Sequence, residues 1–391
     1  MKKKIFSVFL SGLFLLIFSY DAYATGIGVS AQSAVLMCAN TGEVLFSKNE
    51  TKQLSMASTT KIMTSLLALE ALTPDREITV TKEMVSVEGT SMGLVAGDKV
   101  SLRELVYGMM LQSGNDAANT VAYVLGGSPE KFALLMNERA EEIGMHKTNF
   151  VTASGLDDKN HYSTAYDMVL LACESIKNPD FRFICSCKTA RLTYGNPPYA
   201  RTLTNHNRLL WKYSDSIGIK TGFTKKSGRC LVSAAERDGI ILVAVTLNAS
   251  DDWNDHISMF EYGFSKINAV DIGCNLSSAS LKVVGGNKNS VPLKLSRKSV
   301  YAENRLCSYF LLLKPFEYAP VSKGEVVGTA VFISDGKIID RVPVLTDGDS
   351  TRKEYNIQFE EKRKHHNFFL ELTNKIKAYF NGLPLSGVGG E

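Results

Sequence analysis

The 391-residue sequence has no excess of charge of either sign: 44 Lys and Arg stand against 40 Asp and Glu, a formal +4 dispersed along the chain. So weak a balance excludes a groove that holds nucleic acid by its phosphates. There is no low-complexity segment, no internal repeat and no long linker, and 45% of the residues are hydrophobic against 21% charged, which excludes disorder as the main state. Cysteines are few and scattered. The seven, Cys38, Cys173, Cys185, Cys187, Cys230, Cys274 and Cys307, form no disulfide framework and read as mostly small buried hydrophobes. Cys185 and Cys187 make a C-x-C pair, but no second Cys/His pair at zinc spacing accompanies it, so the pair reads as structural or incidental. At roughly 150 residues per domain, the length allows two or three domains.

The apolar run Ile5–Phe18 follows the positive Met1-Lys2-Lys3-Lys4 and precedes Ala22-Tyr23-Ala24, the small-x-small pattern of a cleavage site. The run is short for a span of about 20 residues. Residues 1–24 therefore read as a cleaved signal peptide, and the mature protein as exported.

Ser33–Cys38, the turn residues Asn40-Thr41-Gly42 and Val44-Leu45-Phe46 predict an opening hairpin. From about Ser58 to Lys177 helical signals dominate, enough for four or five helices: the capping box Ser101–Glu104, the Ser128-Pro129 start, and Thr164 three residues before Asp167. Strand character returns at Ser216–Phe223, Gly228–Ala235 and Ile240–Asn248, followed by a helix over Trp253–Phe264. Together these predict an α+β domain over residues 25–267, with one antiparallel sheet flanked by helices. Residues 268–350 read as a small all-β domain, with strand-like runs at Leu281–Val284, Val291–Leu295, Glu325–Ile333 and Lys337–Val344. Residues 351–391 form a linker and a tail. In the tail Phe368, Phe369, Leu372, Ile376, Phe380 and Leu383 fall near one helical face, an amphipathic pattern.

Three short motifs carry chemistry. In Ser58-Thr59-Thr60-Lys61 the Lys follows the Ser by one helical turn, within reach of a hydroxyl that attacks only when a base takes its proton. Ser113-Gly114-Asn115 lies between two expected helices, where a loop can aim a hydroxyl and an amide into a cleft. Lys220-Thr221-Gly222 ends a strand-like run: Lys220 adds positive potential, Thr221 can bond a carboxylate, and Gly222 lets a substrate backbone approach. Each motif alone is common. The order S-x-x-K, S-x-N, K-T-G is not, and it belongs to penicillin-binding proteins and β-lactamases.

With its flanking residues the triple resembles the serine-type D-alanyl-D-alanine carboxypeptidases, the low-molecular-mass penicillin-binding proteins of peptidase family S11. The similarity extends through Met56–Thr64, Leu111–Ala118, His161–Met168, Lys220–Thr224 and Ala319–Gly324. It implies a β-lactamase/transpeptidase-like fold followed by a β domain and a tail helix. It implies that Ser58 forms an acyl-enzyme with peptidoglycan stem peptides and with β-lactam antibiotics, that Lys61 is the base, and that Ser113 relays a proton. Asn115, Lys220, Thr221, Gly222 and Phe223 would then bind substrate, the oxyanion lying between the Ser58 and Phe223 N–H groups, and the resemblance implies that no metal or organic cofactor is needed. The tail would rest on the outer face of the cytoplasmic membrane.

Two positions depart from the pattern. Some relatives have an Arg in the helix after the last core strand that helps to hold the substrate carboxylate; here the stretch is Asp251-Asp252-Trp253-Asn254-Asp255-His256. Thr221 remains, with Thr224 as a second hydroxyl. Some relatives also have His where this chain has Phe223. The rival readings are a penicillin-binding scaffold or sensor with little turnover, and a serine β-lactamase, for which the E-x-x-L-N stretch is missing.

Overall fold

Strictly alternating apolar side chains on three long strands divide the interior into two layers. The computed structural model describes residues 27–271, 276, 278–297, 299–302, 308–334, 336–354 and 364–381. The expected signal peptide lies outside them, as do Cys274 and Cys307.

The opening hairpin is β1 (Ser33–Cys38) and β2 (Val44–Lys48). A 3-10 turn over Ala57–Thr60 leads into α1 (Lys61–Glu70). Then follow β3 (Glu77–Thr79), α2 (Lys82–Val85), β4 (Lys99–Ser101), α3 (Leu102–Gln112), α4 (Asn115–Gly126), α5 (Pro129–Ile143), α6 (Ala165–Ser175) and α7 (Pro179–Ser186). The hairpin β5 (Thr189–Gly195) and β6 (Pro198–Thr204) and the short α8 (Leu209–Lys212) precede β7 (Ser216–Thr224), β8 (Gly228–Arg237), β9 (Ile240–Ala249) and α9 (Asp252–Lys266).

The main sheet is antiparallel, in the order β2-β1-β9-β8-β7. Val35, Met37, Val232, Ala234, Val243 and Val245 enter the larger core among α1 and α3 to α7. Ala34, Leu36, Leu231, Ala235, Leu242 and Ala244 turn to the other face, against Met259 and Phe260 of α9. This is why β1 is buried along its whole length: both faces are covered.

The expected caps are present: Ser101 and Glu104 form a capping box, Ser128 precedes Pro129, and Thr164 accepts from the Asp167 N–H. Five cysteines are free thiols, three of them buried. Among the described residues no group of His, Cys, Asp and Glu could hold a metal ion.

The chain forms two compact units, one reaching Ser278 and including Lys294–Leu313 and Val326–Leu345, the other Ala279–Leu293, Lys314–Glu325 and Thr346 onward. After α9, every described element before residue 347 is a strand. In the first unit Asn268–Asp271 (β10) pairs with Ser299–Ala302 (β13). In the second, Ser280–Val284 (β11) pairs antiparallel with Ser290–Leu295 (β12) and parallel with Glu317–Tyr318 (β15). Ser308–Leu313 (β14), Val326–Ser334 (β16) and Lys337–Thr346 (β17) make an antiparallel meander in the first unit. The last described element is the helix Lys364–Asn381 (α10). Leu372 and Ile376 on it are exposed; Leu383 lies beyond the described residues. Among the described residues no helix is long and apolar enough to cross a membrane.

Candidate active site

A cleft of about 560 Å³ runs along the exposed side of β7, lined among others by Ser58, Ser113, Asn115, Thr221, Gly222 and Phe223. The three motifs, spread over more than 160 positions of the chain from first to last, meet around it.

Ser58 lies in the 3-10 turn, not in the helix it was expected to start; Lys61 is the first helical residue. The turn is tightened by its own hydroxyls. Thr59 Oγ1 donates to the Met56 carbonyl at 2.6 Å and Thr60 Oγ1 to the Ala57 carbonyl at 2.8 Å. Ala57 has φ near +48°, a left-handed conformation that costs an L-residue about 1–3 kcal/mol and needs support from its surroundings. Gly155 supplies it by contact: a Cβ there would stand 1.9 Å from the Ala57 carbonyl oxygen.

His161 supplies further support. Its Nδ1 accepts from the Val151 N–H at 2.9 Å, so that nitrogen carries no proton, and Nε2–H therefore donates to Thr60 Oγ1 at 2.8 Å. Burial lowers the ring's pKa to about 4 and keeps it neutral. His161 thus holds Thr60, and through it the strained residue beside the nucleophile.

Lys61 is fully buried, with Nζ 2.9 Å from Ser58 Oγ, 2.8 Å from Asn115 Oδ1 and 2.7 Å from the Ser154 carbonyl. Two of these partners are oxygens that can only accept. A neutral amine has two hydrogens, so both are taken and its lone pair is left for the Ser58 hydroxyl proton. Burial, then the charge of Lys220, holds the Lys61 pKa well below its ordinary value, while Asp116 opposes them.

Ser113 caps α3 at φ near +59°, and its carbonyl accepts from Thr90 Oγ1 at 2.6 Å. Asn115, at the start of α4, donates from Nδ2 to the Glu88 carbonyl at 2.7 Å, and its oxygen is held by Lys61. Only its second amide hydrogen remains for substrate. Asp116, buried next to it, accepts from the N–H groups of Met92, Gly93 and Leu94 and from Ser91 Oγ, fixing the wall opposite β7.

β7 is the edge of the sheet, and Lys220-Thr221-Gly222 lies inside this strand, which continues to Thr224. Lys220 is buried, donates to the Thr221 carbonyl at 2.8 Å, and has its pKa lowered to about 7 by desolvation. A Cβ on Gly222 would stand 3.0 Å from the Met56 carbonyl and 3.1 Å from the Ser58 nitrogen, so the strand passes the nucleophile at backbone distance. Phe223 is exposed at the cleft, and Thr224 Oγ1 donates to Asp157 at 3.0 Å.

Sequence reasoning missed four contributors: the Ser154 carbonyl, Asp116, His161 as a positioning group, and Arg229, which lines the cleft from β8. Asp116 and His161 stand within the quoted motif stretches, but their neighbours along the chain do not identify their partners.

A buried lysine aimed at a serine, beside a strained alanine and an open strand edge, has the geometry of a serine acyl-transfer site. The family model described as D-alanyl-D-alanine carboxypeptidase (Peptidase_S11) matches residues 21–251, and that of the penicillin-binding protein 5 C-terminal domain matches 272–352. The chain belongs to the D-alanyl-D-alanine carboxypeptidase family. It is 31% identical over 369 residues to D-alanyl-D-alanine carboxypeptidase DacF of Bacillus subtilis, covering 89% of this chain and 94% of that protein. It is 33% identical over 358 residues to DacC of Escherichia coli, covering 85% and 88%. The crystal structure of penicillin-binding protein 5 from Haemophilus influenzae is similar with a TM-score of 0.62 at 27% identity, covering 84% of this chain and all of that one.

Proposed function

We propose that the cleft carries out serine D-alanyl-D-alanine carboxypeptidase chemistry on peptidoglycan stem peptides. Ser58 Oγ bonds to the carbonyl carbon between the last two D-alanines as its proton passes to Lys61. The C–N bond breaks, and the leaving amine takes a proton through Ser113. Water then hydrolyses the ester and frees Ser58. Asn115 steadies Lys61 and offers its remaining N–H to a substrate carbonyl. Lys220 supplies positive potential, Thr221 bonds the substrate carboxylate, and Gly222 and Phe223 give backbone for the substrate and oxyanion. A β-lactam acylates the same oxygen.

The observation that carries this reading is the 2.9 Å approach of Lys61 Nζ to Ser58 Oγ, with both hydrogens of the neutral amine held by Asn115 and Ser154. The test is steady release of D-alanine from a peptide ending in D-Ala-D-Ala. A single turnover followed by a stable acyl-enzyme would favour a sensor.

The domain division follows the same reading: signal peptide 1–24, catalytic domain 25–267, β domain 268–350, and linker and tail 351–391. The mature enzyme is exported and rests on the outer face of the cytoplasmic membrane through the amphipathic tail, with Lys362, Arg363 and Lys364 meeting anionic headgroups. Exposed Leu370, Leu372 and Ile376 support it. A chain ending at Tyr355 should keep its activity and Tm but lose binding to anionic vesicles. Equal vesicle binding would refute this attachment.

A further inference from the structure

The leaving D-alanine carries a carboxylate, and the helix after the last core strand, where some relatives place an Arg, begins here with acids. Their partners explain the change. Asp255 accepts from the Ser30 N–H at 2.8 Å, Ser30 Oγ at 2.7 Å and the Ala31 N–H at 3.1 Å. His256 lies buried between Ser233 Oγ and Thr246 Oγ1. Asp252, only 3% exposed, accepts from Arg229 Nε at 2.9 Å and Nη2 at 2.5 Å. The acidic helix start therefore fixes a cation that comes from the neighbouring strand.

That cation is well placed. Arg229 pairs across β8 and β7 with Phe223, next to the Gly222–Cys230 pair, so its side chain rises beside the Thr221 end of the cleft. Arg229, Asp252 and Trp253 line the same cleft as Ser58 and Thr221, and the guanidinium lies 5.4 Å from the Trp253 ring centre. The Arg229 side chain is 41% exposed although its carboxylate partner is buried. Nε and one Nη2 hydrogen are committed to Asp252, which leaves the second Nη2 hydrogen and both Nη1 hydrogens for a ligand. A guanidinium fixed in this way binds a carboxylate without first losing rotamer freedom.

We propose that Arg229, held by Asp252 and Trp253, receives the terminal carboxylate of the substrate, with Thr221 as its second partner. The inference rests on the carboxypeptidase reading of the cleft. Asp252 and Trp253 are positioning residues. His206 and Arg208 also line the cleft, but burial and the charge of Lys220 lower the His206 pKa and favour its neutral form.

The test compares kcat/KM for a peptide ending in D-Ala-D-Ala with that for its C-terminal amide, in the parent, Arg229→Gln, Arg229→Lys, Asp252→Asn and Arg208→Gln. In Arg229→Gln the free acid should lose about 10–100-fold, mainly through KM, while the amide changes little, so the preference for the acid collapses. Arg229→Lys, which keeps the charge but not the fork, and Asp252→Asn should lose part of that preference. If Arg229→Gln does not fold, Arg229→Lys alone decides by the same comparison. Equal losses on acid and amide, no loss on either, or a preference that collapses in Arg208→Gln instead would overturn the assignment. A parent that releases no D-alanine would refute the carboxypeptidase reading itself, a separate outcome.

Discussion

Lys61 Nζ stands 2.9 Å from Ser58 Oγ while Asn115 Oδ1 and the Ser154 carbonyl hold both hydrogens of its neutral amine, so its lone pair faces the hydroxyl before any substrate arrives. Lys61→Arg puts a guanidinium that stays protonated where burial and the charge of Lys220 disfavour a cation, so it should lower Tm, and it cannot act as a base. Penicillin acylation followed by stopped flow should slow by about 10²–10⁴-fold. Acylation at near the parent rate would remove Lys61 from the mechanism.

Lys220 lowers the pKa of Lys61 by charge. Lys220→Met removes that charge, so Lys61 should stay protonated to higher pH and the acid limb of the acylation profile should move upward. The same substitution bears on stability. Lys220 loses its proton near pH 7 when folded but near its ordinary 10.5 when unfolded, so between these values the unfolded chain binds more protons and stability rises with pH. Tm measured from pH 7 to 10 should rise less steeply in the variant; an unchanged slope would place the proton elsewhere.

Buried His161 and His256, with pKa values lowered to about 4 and about 3, are neutral in the fold and take up protons near 6.5 once unfolded. Stability should therefore fall as pH drops from about 6.5 towards 4. His161→Ala should weaken this acid dependence. It should also leave the Val151 N–H without its partner, at a cost of about 1–3 kcal/mol, and slow acylation by releasing Thr60. A variant with parental kinetics would reduce His161 to a packing residue.

Two glycines set the distance between nucleophile and walls. Gly155→Ala would drive a methyl to 1.9 Å from the Ala57 oxygen at a residue with φ near +82°, and should abolish acylation together with much of the stability. Gly222→Ala meets the Ser58 nitrogen at 3.1 Å, so the milder clash should lower the acylation rate with a smaller change in Tm. Similar kinetics for both variants and the parent would contradict the close approach.

Much of this was legible in the sequence because the information was local. The Ser58–Lys61 spacing, the Ser101–Glu104 box and the three core strands depend on neighbours within a few positions. Helix Pro179–Ser186 was missed although Asn178-Pro179 is as plain a start as Ser128-Pro129, and its cap forms. The Thr189–Thr204 hairpin was missed too, although Ala190, Leu192 and Tyr194 alternate with polar residues along its first strand. The site's supports were illegible for a different reason. His161 meets Thr60 across 101 positions, Asp116 meets Ser91 across 25 and Arg229 meets Asp252 across 23, and no periodicity encodes such pairings. The helix start that lacks an arginine was visible as an anomaly, but its compensation from β8 required the fold.

The most direct test of the account is the intact mass of the protein after exposure to benzylpenicillin. The parent should gain the mass of one antibiotic molecule, with peptide mapping placing it on Ser58, and Ser58→Ala should gain none while keeping its Tm. A Ser58→Ala protein that still gains that mass would contradict the assignment of the nucleophile.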